Sequence, residues 1–284
     1  MKLPSPKQLA RAVEDLAKAD GLAVRRVRRR IATIALIQLF NVARAQGRLQ
    51  PFMVKGGRAL EFRYGALARS SRDVDIVLAG AREAILDTTI AVLRDEWSGF
   101  RFSVASPPRR RDHSFVFEVS ADYNGADWAR FELELVHGAV DVWDDIAVSG
   151  LDELGLDAAT AIPCMTVSEQ IAQKLHAVSD PDADRPRDLY DIYLMNSHCE
   201  QSDEVLRRDA LAEFERRGAH PWPPTIELRD GWRPRLQELL DNDGLVDTPE
   251  MIVGAVESLV LRLSGISMIL GNYGEYAFST ARRS

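Results

Sequence analysis

Apolar residues recur at three- and four-residue intervals from Pro6 to Lys18 and again from Leu22 to Ala45, which predicts two helices. Ile31, Ile34, Ala35, Leu36, Leu39 and Val42 mark the buried side of the second. A short apolar run, Phe52-Met53-Val54, then ends at the glycine pair Gly56-Gly57. Arg58 to Tyr64 reads as a short helix, and the polar connection Ala66 to Arg72 follows. A second apolar run, Val74-Ile76-Val77-Leu78, carries Asp73 and Asp75 at its mouth. Ala81 to Arg94 predicts a helix with Ile85, Ile90 and Leu93 on or near one side.

The period then shortens. Phe100 to Val104 is a candidate strand, and Pro107-Pro108 with Arg109-Arg110-Arg111 reads as a loop with a basic tip. Ser114 to Val119 alternates. So does Phe131 to Val136, with Phe131, Leu133 and Leu135 on one face and Glu132, Glu134 and Val136 on the other. From about Thr160 the pattern is helical again. Thr166-Val167-Ser168-Glu169 has the form of a capping box and opens a helix carrying Ile171, Lys174, Leu175 and Val178. A second helix starts near Arg187, and others are expected at Asp203 to Arg217, Arg235 to Leu240 and Pro249 to Leu270. The fold class is therefore α/β (α+β): a mixed sheet covered by helices, followed by a helical C-terminal lobe. The boundary is placed between 150 and 162, giving units 1–158 and 159–284.

Composition narrows the class. The formal charge of −7 excludes a protein that is basic overall but leaves room for a local basic groove. The two cysteines, Cys164 and Cys199, have no metal-ligand spacing, and a reducing cytoplasm suits them. The N-terminus lacks the apolar core of a secretion signal. Glu257 and Arg262 interrupt the apolar stretch near Met251, so no membrane span is expected. The run Arg25 to Arg30 is either a solvated helix face or a phosphate contact.

Candidate chemistry centres on Asp73 and Asp75. Residues i and i+2 of a strand share a face, so two carboxylates stand side by side and repel unless a cation lies between them. Magnesium, a hard ion that keeps water or phosphate ligands, suits such a pair. Gly56 and Gly57, just before a helix opening at Arg58, allow close backbone approach to a triphosphate. Arg69, Ser70, Ser71 and Arg72 add donors for phosphate oxygens. A third acid is expected from Glu132 or Glu134, with Glu134 preferred because it lies deeper in its apolar run. Lys174 borders an apolar helix face, and Asp188 and Asp191 share a face of the next helix. That cluster either contacts nucleotide or holds the two helices together.

Taken together, VKGGRALEFRYG, RSSRDVDIVL, EQIAQKLHAV and RPRDLYDIYLM resemble the AbiEii/AbiGii family of nucleotidyltransferase-like toxins, including the mycobacterial MenT type, over roughly Val54 to Leu194. The resemblance implies a DNA polymerase β-type nucleotidyltransferase fold and transfer of a nucleotide from an NTP, CTP or GTP, with two Mg²⁺ ions. It implies an RNA acceptor such as the tRNA 3′ end, a block of translation, and a type IV toxin–antitoxin pair with the antitoxin encoded nearby. By the family pattern Asp73, Asp75, Lys174 and Asp191 would be catalytic, with Asp73, Asp75 and Glu134 as metal ligands. Lys55, Gly56, Gly57, Ser71, Arg72, Arg187 and Asp188 would contact nucleotide. Gly57 departs from that pattern, since serine is usual there. Ser71 is expected to supply the missing hydroxyl and to be a candidate for modification by the antitoxin. Two rival readings share the fold: a module that binds nucleotide or antitoxin without turnover, and an enzyme that nucleotidylates a protein hydroxyl.

Overall fold

The computed structural model describes residues 3–243 and 245–265. The chain forms two compact units. One comprises the chain to Ala66 and Ser70–Met165, the other Leu67–Arg69 and the chain from Thr166 onward.

In the first unit, helices α1 (Pro6–Ala19) and α2 (Val24–Ala45) precede strand β1 (Phe52–Lys55). Helix α3 (Gly56–Tyr64), strand β2 (Asp73–Leu78) and helix α4 (Arg82–Val92) follow. Then come β3 (Glu96–Trp97), β4 (Phe100–Val104), β5 (Arg109–Arg110), β6 (Ser114–Tyr123), β7 (Ala126–His137), β8 (Asp144–Ile146) and β9 (Ile162–Cys164). Among the described residues these nine strands make one mixed sheet in the order β3-β4-β6-β7-β2-β1-β9-β8, with β5 pairing β6 off that path. The basic tip is thus no loop: Arg109 pairs Val116 and Arg110 pairs Phe115. β6 and β7 form a long hairpin whose turn, Asn124-Gly125, has positive φ at both residues (48° and 81°). That Asn-Gly dipeptide is a strong hairpin signal, and it explains why both strands outrun their expected ends.

Alternation divides the sheet into two faces. Phe52 and Val54 of β1, Val74, Ile76 and Leu78 of β2, and Phe131, Leu133 and Leu135 of β7 join the core formed with α1, α2 and α4. Helix α2 is buried on every side from Ile31 to Phe40, so its pattern is less one-sided than expected. Val42 is 43% exposed, and the buried edge runs instead to Ala43. Gln38, buried among these residues, is satisfied by donating to the Thr160 carbonyl and accepting from the Thr160 N–H. On α4 the buried stripe is Ile85, Thr89 and Val92. Ile90, five residues after Ile85, falls off it.

The second unit carries α5 (Val167–Ser179), α6 (Pro186–Ser197), α7 (Asp203–Arg217), α8 (Trp232–Asp243) and α9 (Pro249–Ser264). Thr166 caps α5 through the Glu169 N–H, while its own hydroxyl donates to the Glu169 carboxylate at 2.9 Å. α9 ends at Gly265, which is left-handed (φ 69°) and donates to the Arg262 carbonyl. The expected continuation over 266–270 lies outside the described residues. Among those residues no helix is long and apolar enough to cross a membrane.

Candidate active site

The first unit builds its site on the sheet face turned away from the helical core. β2 runs antiparallel to β1 and parallel to β7, and the register sets Lys55 beside Asp75, Asp75 beside Glu134, and Asp73 beside Glu132. Neighbours in register point the same way, so one ammonium and four carboxylates share this face. Asp73 is exposed; Asp75, Glu132 and Glu134 are half-buried. Gly56 sits directly against Asp75. Its φ is +66°, and a Cβ built there would overlap Asp75 Oδ2. The first glycine is therefore required twice, by its backbone conformation and by the carboxylate packed on it. The helix begins at this glycine, two residues earlier than the apolar pattern indicated.

The glutamates have cationic neighbours. Glu132 pairs with Arg109 at 3.2 Å. Glu134 lies 3.7 Å from Arg111 and accepts from the Ser114 hydroxyl at 2.6 Å. The aspartates offer the hard oxygen donors that magnesium takes, and this ion is commonly held by one or two carboxylates with substrate phosphates and water completing its shell. Asp73 and Asp75 fit that pattern. Among the described residues no three His, Cys, Asp or Glu side chains gather as a closed metal site would require.

The donors before β2 divide by exposure. Ser70 and Arg72 are exposed, whereas Ser71 is buried and its hydroxyl donates to the Asp73 carbonyl at 3.1 Å. Ser71 thus has a structural task in the turn. Two guanidiniums converge on its backbone: Arg58 and Arg29 donate to the Ser71 carbonyl at 2.8 and 3.1 Å. Arg58, fully buried, pairs with Glu61, and Arg26 pairs with Glu61 at 2.9 Å. Burial pushes the Arg58 guanidinium down from its ordinary value, against the pull of Glu61. Sequence reading missed Arg58 and Glu61. The only trace is an Arg and a Glu three apart on a short helix, a pattern usually found on solvent-facing surfaces. It also treated Arg25 to Arg30 as one basic run. In fact Arg26 and Arg29 point inward as described, and Arg28 stacks 4.9 Å over the Trp128 ring. Those three are engaged within the fold.

The second unit holds its own charged cluster. Lys174 on α5 donates to Asp188 Oδ1 at 2.6 Å and to Asp191 Oδ2 at 2.8 Å, both on α6. Arg69, expected among the phosphate donors, instead binds Asp191 with a two-pronged contact at 2.9 and 2.7 Å. Asp191 is fully buried. Its burial raises the carboxyl pKa, but Lys174 and Arg69 outweigh this and the net shift is downward. For Lys174 burial pulls the other way, and Asp191 and Asp188 bring the net shift upward. Arg187 is exposed, and Asp188 lies 3.7 Å from Arg185. Cys164 is buried, and burial pushes its thiol up to about 12, away from the thiolate form that a nucleophile needs.

A sequence model described as nucleotidyl transferase AbiEii toxin, type IV TA system, matches residues 39–252. The chain belongs to the AbiEii family. Its fold is that of nucleotidyltransferases: the MenT4 nucleotidyltransferase toxin of Mycobacterium tuberculosis superposes with a TM-score of 0.57 at 16% identity, over 92% of this chain and 98% of that one. A protein described as a putative nucleotidyltransferase from H. pylori shares 17% identity, with 83% and 88% of the two chains covered and a TM-score of 0.38. The antibiotic-resistance factor ANT(2″)-Ia shares 19% identity, with 66% and 93% covered and a TM-score of 0.38. No curated protein sequence matches the chain. AbiEii membership implies a nucleotide substrate and an antitoxin partner.

Proposed function

We propose that this AbiEii toxin transfers a nucleoside monophosphate from an NTP, CTP or GTP, to the 3′ end of tRNA with magnesium, and so stops translation in the cytoplasm. The observation that carries the reading is the pair Asp73 and Asp75 on the sheet face turned away from the helical core, with Gly56 packed against Asp75, in a chain of this family. In the reaction the acceptor 3′-hydroxyl oxygen bonds to the α-phosphorus and the bond to the bridging oxygen breaks, releasing pyrophosphate. Asp73 and Asp75 would hold the ion, whose chemistry when bound is to lower the pKa of the hydroxyl and neutralise triphosphate charge. Lys55, beside Asp75, and exposed Arg72 are assigned to phosphate oxygens, with Gly56 and Gly57 allowing the nucleotide to approach the start of α3. In the second unit the proposal gives Lys174 a phosphate contact through its third N–H, with Asp188 and Asp191 fixing the ammonium. Exposed Arg187 is assigned a further contact.

The test is purified protein with magnesium, bulk tRNA and each labelled NTP in turn. Label on tRNA that disappears in Asp73→Ala supports the reading. No incorporation with any NTP overturns it. Nucleotide-dependent thermal stabilisation without product would point to a binding module, a reading favoured by the engagement of Glu134 with Ser114 and Arg111. Label appearing on protein in place of tRNA would reassign the acceptor.

A further inference from the structure

The turn that delivers Asp73 to the sheet face is held by charges that the proposed reaction does not use. The Ser71 carbonyl accepts from two guanidiniums, Arg58 at 2.8 Å and Arg29 at 3.1 Å, and these come from two different helices, α3 and α2. From the same residue, the Ser71 hydroxyl reaches forward to the Asp73 carbonyl at 3.1 Å. Arg58 is anchored one turn along α3 by Glu61, which is anchored in turn by Arg26 of α2 at 2.9 Å. Arg26 also donates to the Gly65 carbonyl at 3.1 Å, so the end of α3 is tied to α2 as well. Arg58 is fully buried and Glu61 is 2% exposed. A buried ion pair is costly to assemble and is weak evidence of added stability. The geometry it holds here is the position of the residue two before Asp73.

We infer that Arg58 and Arg29 are positioning residues for the Asp73–Asp75 pair, acting through the shared Ser71 carbonyl. This rests on the nucleotidyl-transfer reading for its catalytic consequence, but the metal-holding role of the aspartates tests it separately. Neither arginine is assigned a nucleotide contact. Each restricts where β2 begins, and hence the direction in which the two carboxylates point on the sheet face. Two guanidiniums on one carbonyl occupy both of its lone pairs, so losing one donor loosens the turn without abolishing the contact. Misplacement of a reacting group by about 1 Å costs on the order of a hundredfold in rate.

The discriminating variant is Arg29→Met, which removes one donor while keeping the aliphatic stem and leaving the Arg58–Glu61 pair intact. Arg29→Lys restores a single donor. Four quantities are read on the full chain: kcat and KM for NTP, Mn²⁺ affinity by calorimetry, and the thermal midpoint. Arg29→Met is expected to lower kcat by about tenfold or more and weaken Mn²⁺ binding, with KM within about threefold of the parent. Arg29→Lys is expected to recover most of the loss. Asp75→Asn serves as the reference for a lost ligand. An Arg29→Met chain with parental kcat and Mn²⁺ affinity overturns the inference while leaving nucleotidyl transfer standing. So does one whose losses scale with its thermal midpoint and are not rescued by lysine. If the parent labels no acceptor yet binds Mn²⁺ through Asp75, transfer fails and the Mn²⁺ affinity of Arg29→Met alone decides the positioning role. A parent that binds no Mn²⁺ overturns it.

Discussion

At the residue scale the site turns on how closely Gly56 and Asp75 approach. Replacing Gly56 with alanine imposes both a left-handed backbone penalty of about 1–2 kcal/mol and an overlap with the Asp75 carboxylate. Gly47 has a similar φ of +71° with nothing within 4 Å of an added Cβ, so it isolates the backbone term. We expect Gly47→Ala to lower the thermal midpoint with label incorporation unchanged. Gly56→Ala should lower the midpoint further and also displace Asp75, cutting incorporation; paired melts and transfer assays check this. Asp75→Asn should retain the fold, because the amide is nearly isosteric with the half-buried carboxylate, yet lose at least about a hundredfold in rate. Metal stabilisation of developing charge amounts to several kcal/mol, and about 2.7 kcal/mol already corresponds to that factor. Ser71 illustrates what a motif cannot convey. Its place before the aspartates was visible, but whether its hydroxyl faced solvent or the Asp73 carbonyl depended on the backbone of the turn.

At the scale of elements, α5 and α6 are joined by charges in place of a purely apolar seam. Asp191 has its folded pKa held below the unfolded value of about 3.9. Its stabilising contribution is thus complete above that value and disappears as pH falls through the folded one. Lys174 is the mirror case. Its folded pKa lies above the unfolded value of about 10.4, so its contribution is complete below that value and disappears as pH rises through the folded one. Urea titrations across pH should therefore show a plateau flanked by an acid and an alkaline fall. Asp191→Asn should flatten the acid limb and remove roughly 3–5 kcal/mol, the usual cost of breaking a buried pair. The i, i+3 spacing of Asp188 and Asp191 already put them on one face. Arg69 as the partner of Asp191 could not be read, since 122 residues separate the two.

For the molecule as a whole, a net charge of −7 means that any contact with tRNA must rest on local positive surface. Arg26, Arg28 and Arg29 are engaged within the first unit; Arg109 and Arg111 also face Glu132 and Glu134, but they stay 68% and 56% exposed, which makes the strip Arg109 to Arg111 the stronger candidate. Replacing all three by alanine should weaken tRNA binding and reduce the slope of log K against log salt by up to about two to three, as measured by filter binding at several salt concentrations. Catalysis on saturating tRNA should fall less than affinity.

The sequence alone determined the order and type of the main elements, because apolar periodicity follows directly from helix and strand geometry. It also determined that Asp73 and Asp75 share a face, because alternation is local. Motifs in order along the chain were enough to suggest the AbiEii family. Only the tertiary structure decided which distant residues meet: Glu134 beside Asp75 across parallel strands, Arg69 on Asp191, and Arg29 with Arg58 on the Ser71 carbonyl. Strand register and long-range charge pairing depend on how the whole chain closes. No local pattern of apolar and polar residues encodes them.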